Sequence, residues 1–190
     1  MMKELVLKTR SYRRFDETEK MDREQLLELV DLARMTASTS NSQALRFYIS
    51  CDEQTNAKIF STLHWAGALP EWDGPTEGER PTGYIVILCD LERGKNKMWD
   101  DGITAQTMML GAVEKGYGGC MFGSVDRSKL LDLLGLSPEK YSVDLVLALG
   151  KPMEEVRIVP VPENGDVRYY RDENQVHYVP KRELEDIVLP

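Results

Sequence analysis

Arg10, Ser11 and Arg13 fall close together in the run Arg10-Ser11-Tyr12-Arg13-Arg14-Phe15. A guanidinium can grip a phosphate through two parallel N–H donors, and a serine hydroxyl adds a short hydrogen bond. In an extended segment alternate residues share a face, which would bring Ser11 and Arg13 near one point. The same run also suits a solvated basic turn ahead of a helix. A second basic pair, Lys181-Arg182, stands near the other end of the chain. The overall charge gives these clusters weight. Lys and Arg number 24 against 32 Asp and Glu, which leaves a net charge of −8 and a pI near 4.9. Such a chain repels nucleic acid and anionic membrane surfaces at long range. If it binds a phosphate, it needs cations gathered against that trend.

Another segment could read a heterocycle edge. Ser38, Thr39, Asn41 and Gln43 lie in one polar stretch, and amide side chains offer both donors and acceptors to a ring edge. The plainer reading is a helix-to-strand loop that satisfies its own backbone. Asp101 to Gln106 reads first as a capped helix start whose glycine permits close packing. Met108, Met109, Leu110, Ala112 and Val113 read as core, and His64 and His177 as surface residues. Two common phosphate motifs are missing. Gly116 to Gly123 has its glycines at the wrong spacing for a dinucleotide fingerprint and leads to no long helix. Gly94-Lys95 lacks both the following Ser or Thr and the upstream glycine of a P-loop. Cys51, Cys89 and Cys120 are odd in number and hold no CxxC pair, which speaks against a disulfide framework and a structural zinc. Two histidines make a histidine-rich metal site an unpromising reading.

The elements that must position these groups follow from patterning. A chain of 190 residues with 42% hydrophobic and 29% charged residues suits one domain, residues 1–190, with a core of its own. Asp22 and Gln25 fit a capping box opening a helix over 22–35, with Leu26, Leu27, Val30 and Ala33 as its apolar side. Arg46 to Cys51 reads as a strand and 53–63 as a helix. Residues 64–82 form a long loop rich in Gly and Pro with Trp65 and Trp72, which wall a pocket or pack in the core. Tyr84 to Cys89 is a strand buried on both faces. A helix runs from about Met98 to Lys115, with acids in its first turn and Gly116 as its stop. Gly118 to Phe122 is a glycine-rich strand, Asp126 caps a short helix ending before Gly135, and Asp144 to Gly150 is another buried strand. Two short segments, 167–170 and 176–179, flank a turn at 172–174, and a final short helix follows Arg182. Helices between short strands give an α/β or α+β fold with one central sheet. The first residues carry an acid and too short an apolar run for a signal peptide. No stretch approaches the roughly 20 apolar residues of a membrane span. The expected location is the cytoplasm.

Six segments, in order, resemble the nitroreductase family of FMN enzymes. Arg10 to Phe15 resembles its R-S-x-R-x-F opening. Ala37 to Gln43 resembles its P-S-x-x-N-x-Q-P loop, with Ala44 where the final proline stands. Asp101 to Gln106 resembles D-x-G-x-A-x-Q, Gly116 to Gly123 resembles G-x-G-x-C-x-x-G, and Leu149-Gly150-Lys151-Pro152 resembles L-G-x-P. Lys181 to Asp186 resembles the basic C-terminal signature.

The resemblance implies an α+β fold with a central, mostly antiparallel sheet flanked by helices, in an intertwined homodimer with FMN at its interface. Arg10, Ser11 and Arg13 would meet the phosphate and ribityl end, joined by Lys181 or Arg182. Ser38, Thr39, Asn41 and Gln43 would serve the flavin site, the first three from the partner subunit. Cys120, Met121, Phe122 and Gly123 would pass the flavin ring, offering backbone N–H groups. Hydride would come from NADH or NADPH and go to a small electron-poor acceptor, a nitroaromatic, quinone or activated alkene. No side chain need act as nucleophile or metal ligand, and Cys120 reads as packing rather than as a redox thiol. A reductive dehalogenase, a flavin-fragmenting enzyme or a non-catalytic flavin carrier on the same fold are the alternatives.

Overall fold

The computed structural model describes residues 1–94 and 99–189. From the N-terminus the elements are α1 (Met2–Lys8), β1 (Phe15–Asp16), α2 (Arg23–Arg34), β2 (Leu45–Ser50), α3 (Glu53–Phe60), β3 (Gly83–Asp90), α4 (Asp100–Glu114), β4 (Gly118–Phe122), α5 (Arg127–Leu133), β5 (Tyr141–Pro152), β6 (Val156–Pro160), β7 (Tyr170–Arg171) and β8 (His177–Lys181). Short 3-10 turns occupy Thr39–Asn41 and Leu184–Asp186. Met98, where the sequence pattern starts the long helix, lies outside the described residues.

β3 is buried at every position, as its unbroken apolar run requires. It pairs antiparallel with β2 on one side and β5 on the other. β5 also takes β4 and, at its far end, β1, both antiparallel. The result is a five-stranded antiparallel sheet covered on both faces. α2 and α4 cover one face, where Leu26, Leu29 and Met108 meet Ile85, Ile87 and Leu149. α3 and α5 cover the other, where Ile59 and Leu130 meet Tyr84, Val86 and Val146.

Local chemistry fixes these helices. Asp22 accepts from the Gln25 N–H at 2.8 Å while the Gln25 side chain accepts from the Asp22 N–H at 3.0 Å, completing the expected capping box. Asp126 accepts from the Lys129 N–H at 3.1 Å and starts α5. α2 and α4 close tightly at Gly111, where a Cβ would come 2.4 Å from Leu32 Cδ1.

Two features depart from the sequence expectation. The chain has a second sheet, in which β8 pairs parallel with β6 and antiparallel with β7. α1 is the other, a helix with no buried residue. Neither carries readable periodicity, since the strands are very short and α1 has no core face. Among the described residues no helix is long and apolar enough to cross a membrane.

Candidate functional site

The basic run lies along the outer edge of β4. Ser11 bridges Gly119 in parallel, and the Tyr12 N–H donates to the Gly119 carbonyl at 2.9 Å. Glycine permits this approach: a Cβ on Gly118 would sit 2.6 Å from Tyr12 Cδ2, and one on Gly119 would sit 2.5 Å from the Ala148 carbonyl oxygen. The glycines of this strand therefore serve packing on both of its sides.

β8 reaches the same place from the other end of the chain. Its alternate residues His177, Val179 and Lys181 face one cleft of about 330 Å³, together with Arg10, Ser11 and Arg13. Gln106 and Met109 of α4 and Met121 of β4 complete much of its wall. Arg182 follows Lys181, does not line the cleft, and is exposed. Strand alternation thus separates the two neighbours. Among the described residues Arg10, Arg13 and Lys181 form no salt bridge.

Arg10 donates to the Val6 carbonyl at 2.7 Å, and its buried Nε has no hydrogen-bond partner. Burial lowers its pKa from the ordinary arginine value. Arg13 is only 8% exposed. Its Nη1 donates to the Ser11 carbonyl at 3.1 Å and lies 3.4 Å from His177 Nε2. Its guanidinium carbon stands 4.7 Å from the centre of the Tyr169 ring. The Arg13 backbone N–H donates to Glu154, whose other oxygen receives Arg171 Nη2 at 3.0 Å.

His177 corrects a sequence expectation: it is 1% exposed rather than at the surface. A short strand segment does not reveal which face is covered until its sheet is known. Burial, then the Arg13 and Arg171 charges, hold its pKa down to about 4. His64 is exposed, as expected.

The polar loop builds a different cavity. Ser38 and Gln43 line about 190 Å³ together with Asp100 and Thr104. Thr39 gives its N–H and hydroxyl to one oxygen of Asp100, at 2.8 and 2.9 Å. Asn41 accepts from Gln43 Nε2 at 3.3 Å. Ser40, Asn41 and Gln43 take left-handed φ angles of 53°, 50° and 48°. Non-glycine residues in that region carry strain and concentrate at functional segments. Ala44, at the place of the expected proline, is fully buried. Within one chain this loop does not join Arg10, Ser11 and Arg13 in a single pocket; α4 contributes residues to both cavities.

In β4 the Cys120 and Phe122 side chains turn into the core, while Met121 turns to the cleft. Burial pushes the Cys120 thiol pKa up, which keeps it protonated and speaks for packing. N–H and C=O of one residue point the same way and alternate along a strand, so Met121 offers its N–H on the edge where Gly119 meets Tyr12. The Gly123 carbonyl accepts from Arg127 Nη2 at 2.9 Å. Trp65 packs edge-on to Phe122 at 4.6 Å, and Trp72 carries the Arg171 guanidinium at 4.3 Å on its ring. Both tryptophans fasten the long loop rather than line the basic cleft.

Asp100, His177 and Tyr169 were not expected at either cavity. Asp100 had a signal: counted from it, Gly102 and Gln106 fall at the spacing of D-x-G-x-A-x-Q, with Thr104 in place of the alanine. His177 and Tyr169 had none, because His177 reaches the cleft through the second sheet and Tyr169 immediately precedes one of its strands.

Comparison with known proteins agrees with this arrangement. No curated protein matches the chain in sequence. Among solved structures, a candidate NAD(P)H:FMN oxidoreductase of Staphylococcus epidermidis shares 16% identity at a TM-score of 0.73, over 100% of this chain and 95% of that one. A candidate nitroreductase of Exiguobacterium sibiricum, in complex with FMN, shares 18% at 0.69 over 86% and 94%. A gut-bacterial enone reductase of fatty acid biohydrogenation shares 18% at 0.67 over 80% and 89%. These likenesses show the fold. The Nitroreductase family model matches residues 6–73 and 90–151, so both the basic run and β4 fall inside it, and the chain belongs to the nitroreductase family.

Proposed function

We propose that this chain is an FMN-dependent oxidoreductase that takes hydride from NADH or NADPH and passes it to a small electron-poor acceptor. One observation carries the reading. In a protein of net charge −8, three cations without an acidic partner among the described residues, Arg10, Arg13 and Lys181, converge on one cleft with the Ser11 hydroxyl. That donor set suits a phosphate dianion. The buried, unpartnered Arg10 Nε is a further donor awaiting an acceptor.

FMN bound there supplies the hydride chemistry. The chain's residues would bind and orient it: Arg10, Ser11, Arg13 and Lys181 would take the phosphate end, and the Cys120 to Gly123 backbone would lie beside the ring. N–H donors along that edge would favour negative charge on a reduced ring. The absence of a dinucleotide fingerprint fits a pyridine donor and an acceptor that use one open site in turn. The Ser38, Thr39, Asn41 and Gln43 loop, held apart from its own cleft, would complete the site of a partner subunit in a homodimer. An enone reductase among the structural relatives keeps activated alkenes beside nitroaromatics and quinones as acceptors.

Purified protein should be yellow, release FMN on denaturation, lose its flavin absorbance on addition of NADH or NADPH, and regain it with an acceptor. A colourless protein that cannot be loaded with FMN would overturn the reading. Bleaching without reoxidation by any acceptor would reduce it to a flavin carrier.

A further inference from the structure

His177 is a buried ring that the hydride chemistry does not use. It stands in β8 with its Nε2 near the Arg13 guanidinium and with Arg171 as its cross-strand partner, while Glu154 accepts from the Arg13 backbone N–H and from the Arg171 guanidinium. Arg171 and Glu154 are themselves 8% and 0% exposed at the side chain. A second proton on the ring would face both cations. A neutral imidazole has one acceptor nitrogen and one N–H. The 3.4 Å approach of Arg13 Nη1 assigns the acceptor role to Nε2. Nδ1 then carries the proton and is buried without a hydrogen-bond partner. A buried donor left so is uncommon, and the cost has to serve something.

What it serves is the direction of one side chain. Ser11 takes the same Nη1 at 3.1 Å, and Tyr169 lies against the guanidinium face while packing on the His177 ring at 5.1 Å between centroids. Glu154 fixes the backbone of Arg13. The guanidinium is thus held by its face, by one nitrogen and through its backbone, with further N–H donors left over at the cleft.

We propose that His177 is a positioning residue for phosphate recognition: as a neutral acceptor it fixes the Arg13 guanidinium so that its remaining donors meet the phosphate of the cofactor. This rests on the FMN reading above. FMN and riboflavin differ only by that phosphate, so the pair separates a phosphate effect from a general one. The experiment titrates each flavin into flavin-stripped protein and follows fluorescence quenching, for wild type, H177F and H177Q. Wild type should prefer FMN strongly. H177F, which has no acceptor, should lose about tenfold or more in FMN affinity, the scale of one hydrogen bond to a charged group, and keep its riboflavin affinity. H177Q, whose amide oxygen accepts from Arg13, should recover most of the loss. Should H177F fail to fold, H177N replaces it, since its shorter amide falls away from Arg13 and should behave as H177F does. An unchanged ratio of FMN to riboflavin affinity in these variants, or equal loss of both flavins, would overturn the proposal. Wild-type protein that binds neither flavin, or does not distinguish them, would instead overturn the FMN phosphate reading beneath it.

Discussion

Thr39 gives both its backbone N–H and its hydroxyl to a single carboxylate oxygen of Asp100, across 61 positions of sequence. The carboxylate is 1% exposed and stands at the start of α4, where the helix dipole favours negative charge. The Thr104 hydroxyl donates to the Asp100 carbonyl at 2.9 Å and ties the same turn together. Three left-handed residues follow Thr39 within the loop. A loop under that strain keeps its shape only if its surroundings hold it, and Asp100 is the anchor.

Asp100→Ala should therefore cost more than an ordinary helix-start change. It strips the partner from two Thr39 donors at once, which is expected to lower stability by about 2–4 kcal/mol. Asp100→Asn keeps an acceptor and should lose less. Chemical denaturation of the two variants beside wild type measures this. If D100A matched wild type, the loop would hold itself. FMN affinity should fall with D100A as well, because the Ser38 to Gln43 loop is proposed to serve the flavin site across a dimer.

At the basic cleft the prediction separates neighbours. Arg13→Ala removes a buried cation proposed to meet the phosphate and should weaken FMN binding by about 2–5 kcal/mol. Lys181→Ala should also weaken it, whereas Arg182→Ala should change little, because only Lys181 shares the cleft face with His177 and Val179. Equilibrium titration with FMN gives all three values. Equal effects at Lys181 and Arg182 would show that the strand presents both to the ligand.

Cys120 sits beside the proposed ring path, yet its side chain is buried in the core cluster that holds Val86, Val146 and Ala148. Burial raises its pKa, so thiolate is scarce and nucleophilic chemistry is disfavoured. Cys120→Ala should keep its flavin and its turnover and lose about 1 kcal/mol of stability from the small void. Steady-state assay and thermal melting test the two halves. Full flavin content with abolished turnover would restore a redox role for the thiol.

α1 bears on the proposed second subunit. It buries nothing, and Met2, Val6 and Leu7 are exposed, as is Ile103 on α4, the helix that α1 contacts. Apolar residues gathered so suit a contact with another copy of the chain. The expected outcome is a dimer in sedimentation velocity. The double change Val6→Glu with Leu7→Glu should yield a monomer that has lost its FMN, since the polar loop would no longer complete a neighbouring site. A monomer that retains FMN at wild-type affinity would refute the shared site.

Much of this was legible in the residues. β3 announced itself as an unbroken apolar run, Asp22 and Gln25 spelled out a cap, and the ordered motifs singled out Arg10, Ser11 and Arg13. What stayed hidden depends on non-local pairing. β8 lies parallel to β6, a relation that no local pattern encodes, and in that setting His177 is buried and Lys181 rather than Arg182 faces the cleft. The Gly118 to Phe122 strand was readable, but its glycines could be explained only once Tyr12 and Ala148 were known to press on it. The separation of the Ser38 loop from the Arg10 cleft likewise follows from how α4 is placed.

The buried histidine also sets an acid limit. An unfolded chain binds a proton at His177 near pH 6.5, whereas the folded pKa is held down to about 4 by burial and by the Arg13 and Arg171 charges. Above pH 6.5 the ring is neutral in both states and has no effect on stability. As pH falls below that value the unfolded chain takes up the proton and the folded protein does not, so stability drops. The drop continues to about pH 4, where the folded protein also protonates, and it levels off there. Across that window the loss amounts to about 3 kcal/mol, at 1.36 kcal/mol per pKa unit. Carboxylates titrate in the lower part of the same range, so the useful quantity is a difference. Denaturant unfolding of wild type and H177Q at a series of pH values should give curves that diverge by that amount, with the variant the flatter of the two. Parallel curves would mean that the ring titrates as it does in water, and that the cluster around Arg13 is open to solvent. Added FMN should shrink the divergence, because a phosphate dianion beside the ring favours its protonated form.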